Sequence, residues 1–285
     1  MKRIIKVFLL ICSLIAVERL CHLATDGFAM VNIYAPKGDN KKWTREGNFP
    51  QELFDKPFTY FDSGSQSYVF LSDDGETILK LFKFQHMRTP PWLDFLPLNG
   101  ALGEKREKKR AILERTFNSF VLAYDTMQEE TGLIYLHLTK THHLNKTATL
   151  VDKIGKKHTL DLDNVEFVLQ KRGMLAYDAI EKWMREGEEA IAKEGISSLL
   201  RLAASRCHKG IFDKDPDFRT NFGFIEAKPF QIDFGRLTLN EDEKDPKIYG
   251  PEMIRITRHF ENWIEKNHPS LLDSFQKELN AIVSD

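Results

Sequence analysis

From residue 58 to residue 84 apolar and polar positions alternate in short runs broken by turn formers: "FTYFDSGSQSYVF", "LSDDGETI" and "LKLFKF". A period of two predicts three strands, with a glycine turn after the first and a tight Asp74-Gly75 turn before the third. Residues 85–103, "QHMRTPPWLDFLPLNGALG", are interrupted by Pro and Gly and read as a long loop. Helical composition without Gly or Pro follows from Glu104 to Glu130 and stops before Thr131-Gly132. Three strand-like runs come next: "LIYLHLT", "TATLVDKIGKKHTLDL" with a hairpin at Ile154-Gly155, and "VEFVLQKR". "MLAYDAIEKWMREG" and "EEAIAKEGISSLLRLAASRCHKG" are predicted helices, the second burying Leu199, Leu200, Leu202 and Ala203. Inside residues 210–235 the runs "FGFI" and "FQI" flank a turn at "EAKP", and residues 250–283 close the chain with one or two helices. This order predicts an α+β protein in two lobes.

The N-terminus is built differently. Lys2, Arg3 and Lys6 precede an unbroken apolar run from Val7 to Val17, closed by Glu18 and Arg19. Such a run matches a signal-peptide core and falls short of the about 20 residues that cross a bilayer. Residues 1–24 are therefore expected to be a signal peptide or short membrane anchor, with a buried N-terminal helix as the alternative, and residues 25–57 an N-terminal extension. The 285 residues, 42% hydrophobic and 29% charged, are enough for a substantial core. With 41 basic and 42 acidic residues the net charge is -1, so no global field draws the chain to nucleic acid, and no basic-aromatic interleaving suggests RNA binding. Cys12, Cys21 and Cys207 show no CxxC spacing and no disulfide framework. In "LHLTKTHHLNK" the adjacent His142 and His143 cannot face the same way on a strand, so a solvated turn is expected rather than a metal site. The basic run "GEKREKKR" reads as the solvated face of a helix start, with contact to anionic lipid as its alternative.

The chemistry concentrates in residues 210–235, where Asp213, Asp215, Asp217, Asn221 and Asp233 lie beside two apolar runs. A carboxylate and an amide oxygen are hard donors of the kind Mg²⁺ prefers, and a strand, a turn and a strand between Asn221 and Asp233 would fix their separation. Upstream, "SGSQS" offers small residues and free N–H groups to an approaching phosphate. Lys80 rises from the apolar "TILKLF", where partial desolvation would strengthen its pull on such a group.

In this order the motifs resemble those of the protein-kinase-like superfamily over residues 58–237. The resemblance implies a two-lobed fold, with an N-terminal antiparallel sheet lobe over 58–171 and a reduced helical C-terminal lobe over 172–285. It implies that Gly64, Ser65, Gln66 and Ser67 form the phosphate loop, that Val69 packs on adenine, and that Lys80 meets the α- and β-phosphates. The helix from Glu104 would be helix C, offering Glu107 or Glu114 as partner to Lys80, with Glu114 favoured. "VEFVLQKRG" would be strand five and the hinge, and Asp233-Phe234-Gly235 the metal-binding DFG, with Asn221 as second Mg²⁺ ligand. Laying "FDKD" over the family's "VHRD" selects Asp215 as proton acceptor, with Asp213 in the histidine position and itself the alternative. The chain departs from the pattern in four places. Its loop has one glycine, and Asp217 stands where a lysine is usual, with Arg219 as a substitute charge. Asp215 precedes Asn221 by six residues rather than five, and residues 249–252, "YGPE", match the family's APE only in part. The implied activity is an ATP- and Mg²⁺-dependent phosphotransferase acting on a hydroxyl of a small molecule, a sugar or lipopolysaccharide, or a protein. A pseudokinase serving as nucleotide-binding or scaffolding module is the alternative, and a membrane-associated structural protein with a vestigial cleft a third. Because ATP is the implied co-substrate, a membrane-associated or secreted chain is expected to face an ATP-containing compartment.

Overall fold

The computed structural model describes residues 2–36, 41–90 and 100–284. Strands run β1 (Phe58–Ser63), β2 (Ser67–Leu71), β3 (Thr77–Phe82), β4 (Leu133–His137), β5 (Thr147–Val151), β6 (Lys157–Asp161), β7 (Phe167–Lys171), β8 (Met174–Leu175), β9 (Ile211–Asp213), β10 (Phe222–Ile225), β11 (Lys228–Gln231) and β12 (Leu237–Leu239). Helices are α1 (Lys2–Thr25), α2 (Ala101–Thr126), α3 (Gln128–Thr131), α4 (Ala176–Arg185), α5 (Glu189–His208), α6 (Pro246–Asn267) and α7 (Leu272–Ser284). The chain forms two compact units, the first of Met1–Leu113 and His137–Leu169, the second of Glu114–Leu136 and Gln170–Asp285.

In the first unit the strand order is β7-β3-β2-β1-β5-β6. The three strands expected over residues 58–84 are present, and the Asp74-Gly75 turn forms with Gly75 at φ 77° and Ser72 Oγ donating to Asp74 Oδ1 at 2.5 Å. The Ile154-Gly155 hairpin forms too, with Gly155 at φ 82° and Asp152 Oδ1 accepting from the amides of Ile154 and Lys156. The sheet is mixed, not antiparallel throughout: β1 and β5 run parallel, Phe58 opposite Leu150 and Thr59 opposite Val151. The intervening chain passes through α2 and β4, and a crossover of that length permits a parallel pair that hairpin signals cannot announce. A bulge between Tyr60 and Asp62 shifts the β1–β2 register and leaves Phe61 half exposed.

Residues 25–57 are part of this unit's core. Phe28, Ile33, Trp43 and Phe54 are buried, and Phe28 meets Tyr68 and Phe70 edge-on at 5.2 Å. Tyr68 Oη donates to Gly27 O at 2.5 Å, Tyr60 Oη to Asp26 Oδ2 at 2.8 Å, and the Arg88 guanidinium to Tyr34 O and Val31 O at 2.8 and 2.6 Å. From Leu9 to Ala24, by contrast, α1 is exposed, so it is not the buried N-terminal helix. Among the described residues no helix is long and apolar enough to cross a membrane. Within the basic run of α2, Lys109 is an exception to the solvated reading, since its amine donates to Gln85 O and Arg88 O at 2.8 Å each. The loop expected over 85–103 gives way to helix at Ala101, and its residues 91–99 lie outside the described residues.

The second unit gathers a core from α4, α5, α6 and α7, including Leu199, Leu200 and Ala203 as expected, with Phe218, Phe222, Phe224 and Phe260. The long helix α2 ends at Thr126, and a separate turn, α3, closes on Gly132 at φ 62°, the left-handed cap for which glycine is suited. Met174 and Leu175, expected as helix, form β8 against β10 in a three-stranded sheet ordered β11-β10-β8. Gly223 permits that approach, because a Cβ there would lie 2.2 Å from Met174 O. A second pair, β9 with β12, sets Leu237 opposite Asp213. Two helices close the chain: α6, capped where Asp245 Oδ1 accepts from Lys247 N at 2.9 Å, and α7, which follows Pro269.

The first unit also buries a carboxyl group. Glu166 is 1% exposed and neither of its oxygens is hydrogen bonded. Burial pushes its pKa up from 4.5 to about 7, the Lys140 charge and the amide dipoles of Ala35 and Glu166 offsetting only part of that rise. Between these values the folded state holds a proton that the unfolded state has released. Stability is therefore fully supported by this group below pH 4.5 and declines as pH rises to 7, by about 3 kcal/mol in total. Glu166→Gln is expected to flatten this decline, so that urea denaturation at pH 5 and pH 8 gives closer stabilities in the variant than in the parent chain.

Candidate active site

The expected phosphate loop lies between β1 and β2. Gly64 N donates to Ser67 O at 3.0 Å, and Lys83 N to Gln66 O at 2.8 Å. The Lys83 amine, buried and held below its ordinary pKa by desolvation, donates to Ser63 Oγ and Gly64 O at 2.6 Å each. Lys83 thus fastens the loop, a role that sequence reasoning missed. A Cβ on Gly64 would come no nearer than 3.8 Å to Ser67 O, so the turn itself tolerates a side chain there. Val69 and Lys80 are register partners on β2 and β3, which puts both side chains on one face of the sheet. Lys80 is 8% exposed. Of its expected partners, Glu107 is exposed beside Arg106, and Glu114 is exposed on α2 next to the buried stripe of Leu113, Thr116 and Phe117. Lys80 and Glu107 belong to the first unit, Glu114 to the second.

The second unit brings Asp213, Asp215, Asn221 and Asp233 into one network. Asp213, at the end of β9, is 2% exposed. Its Oδ1 accepts from Asp215 N at 2.9 Å and its Oδ2 from Gln231 Nε2 at 2.7 Å. The second hydrogen of that amide goes to Asp233 O at 3.0 Å. Asn221 Nδ2 donates to Asp215 O at 2.5 Å, and Ile232 N to Asn221 O at 2.7 Å, tying the Asn221 loop to the segment before Asp233. Burial pushes the Asp213 pKa up; the Arg206 charge pulls it back, and Asp233 adds to the rise. Arg206 is itself 1% exposed, with none of its three guanidinium nitrogens hydrogen bonded.

Asp215 and Asp233 are exposed, which sets them apart from Asp213. Asp233 Oδ1 accepts from Gly235 N at 3.0 Å, and Asn221 Oδ1 from Thr220 Oγ1 at 3.0 Å. Arg236 Nη1 lies 3.3 Å from Asp215 Oδ2, an ion pair of two half-exposed side chains. Asp217 is a turn former, its carboxylate accepting from Arg219 N at 2.9 Å. In the first unit His137 is buried, with Nδ1 donating to Val165 O, while His142 and His143 are exposed as expected. Among the described residues no cluster of three or more His, Cys, Asp or Glu is arranged to hold a metal, and all three cysteines are free.

No family model and no curated protein matches the chain. Solved structures do. The crystal structure of WbdD at 2.2 Å aligns with TM-score 0.41 and 16% identity over 79% of this chain and 46% of that one. A second structure, described as the bifunctional kinase-methyltransferase WbdD, aligns with TM-score 0.35 and 15% identity over 75% and 43%. One of the matched proteins is thus a kinase. Rv3197 from Mycobacterium tuberculosis, in complex with erythromycin, aligns with TM-score 0.33 and 17% identity over 80% and 56%. The chain spans about half the length of these structures.

The buried Asp213 supports a stability prediction. Asp213→Ala removes the carboxylate that the Arg206 charge acts on and one of the two acceptors of the Gln231 amide, and is expected to cost about 3–5 kcal/mol. Adding Arg206→Met should recover part of that loss in urea denaturation. A cost below about 1 kcal/mol, typical of an exposed acid, would show that the two groups are not coupled.

Proposed function

We propose that the chain is an ATP-dependent phosphotransferase of kinase-like fold, acting on a hydroxyl acceptor. The observation that carries this reading is the network in the second unit, in which Gln231 and Ile232 join the Asp213–Asn221 loop to the segment bearing Asp233. Asp213 has both oxygens occupied by donors inside the fold and is shut off from solvent, which favours the exposed Asp215 as the proton acceptor. Asp233 and Asn221 offer an exposed carboxylate and an amide oxygen, a donor set that fits Mg²⁺. When bound, the ion supplies charge neutralisation to the phosphates. Gly64, Ser65, Gln66 and Ser67 are assigned to the phosphates through their backbone, Val69 to the adenine, and Lys80 to the α- and β-phosphates. Glu114 keeps the role that the resemblance implies. Asp215 would draw the proton from the acceptor hydroxyl as its oxygen bonds to the γ-phosphorus and the bond from that phosphorus to the bridging oxygen breaks, releasing ADP. The acceptor classes are those the resemblance implies: a hydroxyl of a small molecule, a sugar or lipopolysaccharide, or a protein.

A pseudokinase reading is supported by one contact: Arg236 sits on Asp215, where it competes with an acceptor hydroxyl. Incubating the full-length protein with ATP and Mg²⁺ while following ATP turnover and thermal shift separates the two. On the enzyme reading Asp215→Asn and Asp233→Ala each lower turnover at least about 100-fold. A nucleotide-dependent rise in Tm without turnover favours the pseudokinase, and turnover unchanged in both variants eliminates the assignment.

For location we propose that α1 contacts lipid. Val7, Leu9, Leu10, Ile11, Leu14, Ile15 and Val17 are exposed on every side of the helix, and a groove on a protein covers only one. Fractionation of the full-length protein with sequencing of its N-terminus is the check. Membrane retention with Met1 intact is the expected result for an anchor. A new terminus near Thr25 would mean a cleaved signal, and an intact soluble chain would refute lipid contact.

A further inference from the structure

From the end of β11 toward β12 the chain runs through Gln231, Ile232, Asp233 and Phe234, and every one of these four carbonyls accepts a hydrogen bond from a buried side chain. Gln170 Nε2 lies 3.2 Å from both Gln231 O and Ile232 O and 2.7 Å from Thr131 O, so its two hydrogens are shared among three acceptors. Gln231 Nε2 serves Asp233 O at 3.0 Å. Ser119 Oγ, on α2, donates to Phe234 O at 2.5 Å and accepts from Leu237 N at 2.6 Å, so one hydroxyl grips the chain on both sides of Gly235. Gln170 and Gln231 are 1% exposed and Ser119 0%, which keeps water from replacing them. Next to Ser119, Phe120 meets the buried Phe234 ring edge-on at 4.9 Å.

We propose that Ser119, Gln170 and Gln231 are positioning residues that fix the backbone around Asp233 before any ligand arrives. Turning the two peptides on either side of Phe234 would strip Ser119 of its acceptor and Gln231 of one of its two. It would also draw Phe234 away from Phe120. Each of these groups is buried and has no water to turn to, so the alternatives are disfavoured together rather than one by one. A carboxylate on such a fixed backbone loses less conformational freedom when it binds a cation. This consequence for the metal rests on the phosphotransferase reading; the prior ordering of the segment does not.

Two measurements on the full-length protein separate those claims. Amide hydrogen exchange without nucleotide or metal is expected to show Phe234, Gly235 and Leu237 protected in the parent chain. In Ser119→Ala they should exchange at least 10-fold faster, with α5 and α6 unchanged. Gln170→Leu, which keeps the volume, should do the same at Asp233 and Phe234, and carries the test if Ser119→Ala fails to fold. Unchanged exchange, or a uniform increase across the second unit, overturns the proposal. The second measurement is Mn²⁺ binding followed by water-proton relaxation in saturating ATP. At least 5-fold weaker Mn²⁺ binding with ATP affinity retained supports a positioning role, whereas unaltered Mn²⁺ affinity beside faster exchange refutes it. If the parent chain binds no Mn²⁺ with ATP, the phosphotransferase reading falls, and exchange alone decides whether the segment is ordered in advance.

Discussion

The second unit is organised around a carboxylate that water cannot reach. An ionised Asp213 is costly to bury unless every lone pair it presents is met, and that demand draws Asp215 N to one oxygen and the Gln231 amide to the other. Because the Gln231 amide has a second hydrogen, satisfying Asp213 also orients Asp233 O. One buried charge therefore sets two separate stretches of chain at once. Its remaining cost shows in the direction of its pKa: desolvation outweighs the attraction of Arg206, itself buried without hydrogen bonds.

The first unit applies the same rule with lysines. Lys83 is buried with Ser63 Oγ and Gly64 O as acceptors, and Lys109 spans Gln85 O and Arg88 O. In each case a long side chain delivers one ammonium to chain segments that lack partners in the sheet. The loop after β1 and the turn after β3 owe their shape to these cations, since Gly64 adopts no conformation that requires glycine.

What could be read from the residues depended on range. Turns and strand runs carry local signals, so Asp74-Gly75, Ile154-Gly155 and the pairing of β10 with β11 are legible in the sequence. The acidic residues of the candidate site were legible because carboxylates close together in sequence are unusual beside apolar runs. Their partners were not. Gln170 and Gln231 sit in "VEFVLQKR" and "KPFQID", where a polar residue in an alternating strand is normally assigned to the solvent face; both are buried amides. A glutamine flanked by apolar residues on each side is the signal available, and it is weak. Arg236, Lys83 and Ser119 gave none, because each acts on a residue that is close only after folding. The parallel pairing of β1 with β5 was illegible for the same reason.

The stretch ahead of β1 offers a final consequence. Gly27 O, Val31 O and Tyr34 O are the acceptors that Tyr68 and Arg88 rely on, and Phe28 fills a place among the sheet's aromatic rings. Truncation of this chain from the N-terminus accordingly has a floor. Removal of residues up to Thr25 takes none of these acceptors, whereas removal through Tyr34 takes all three and orphans a phenol and a guanidinium together. Boundaries drawn by homology at the first strand would fall on the wrong side of that floor.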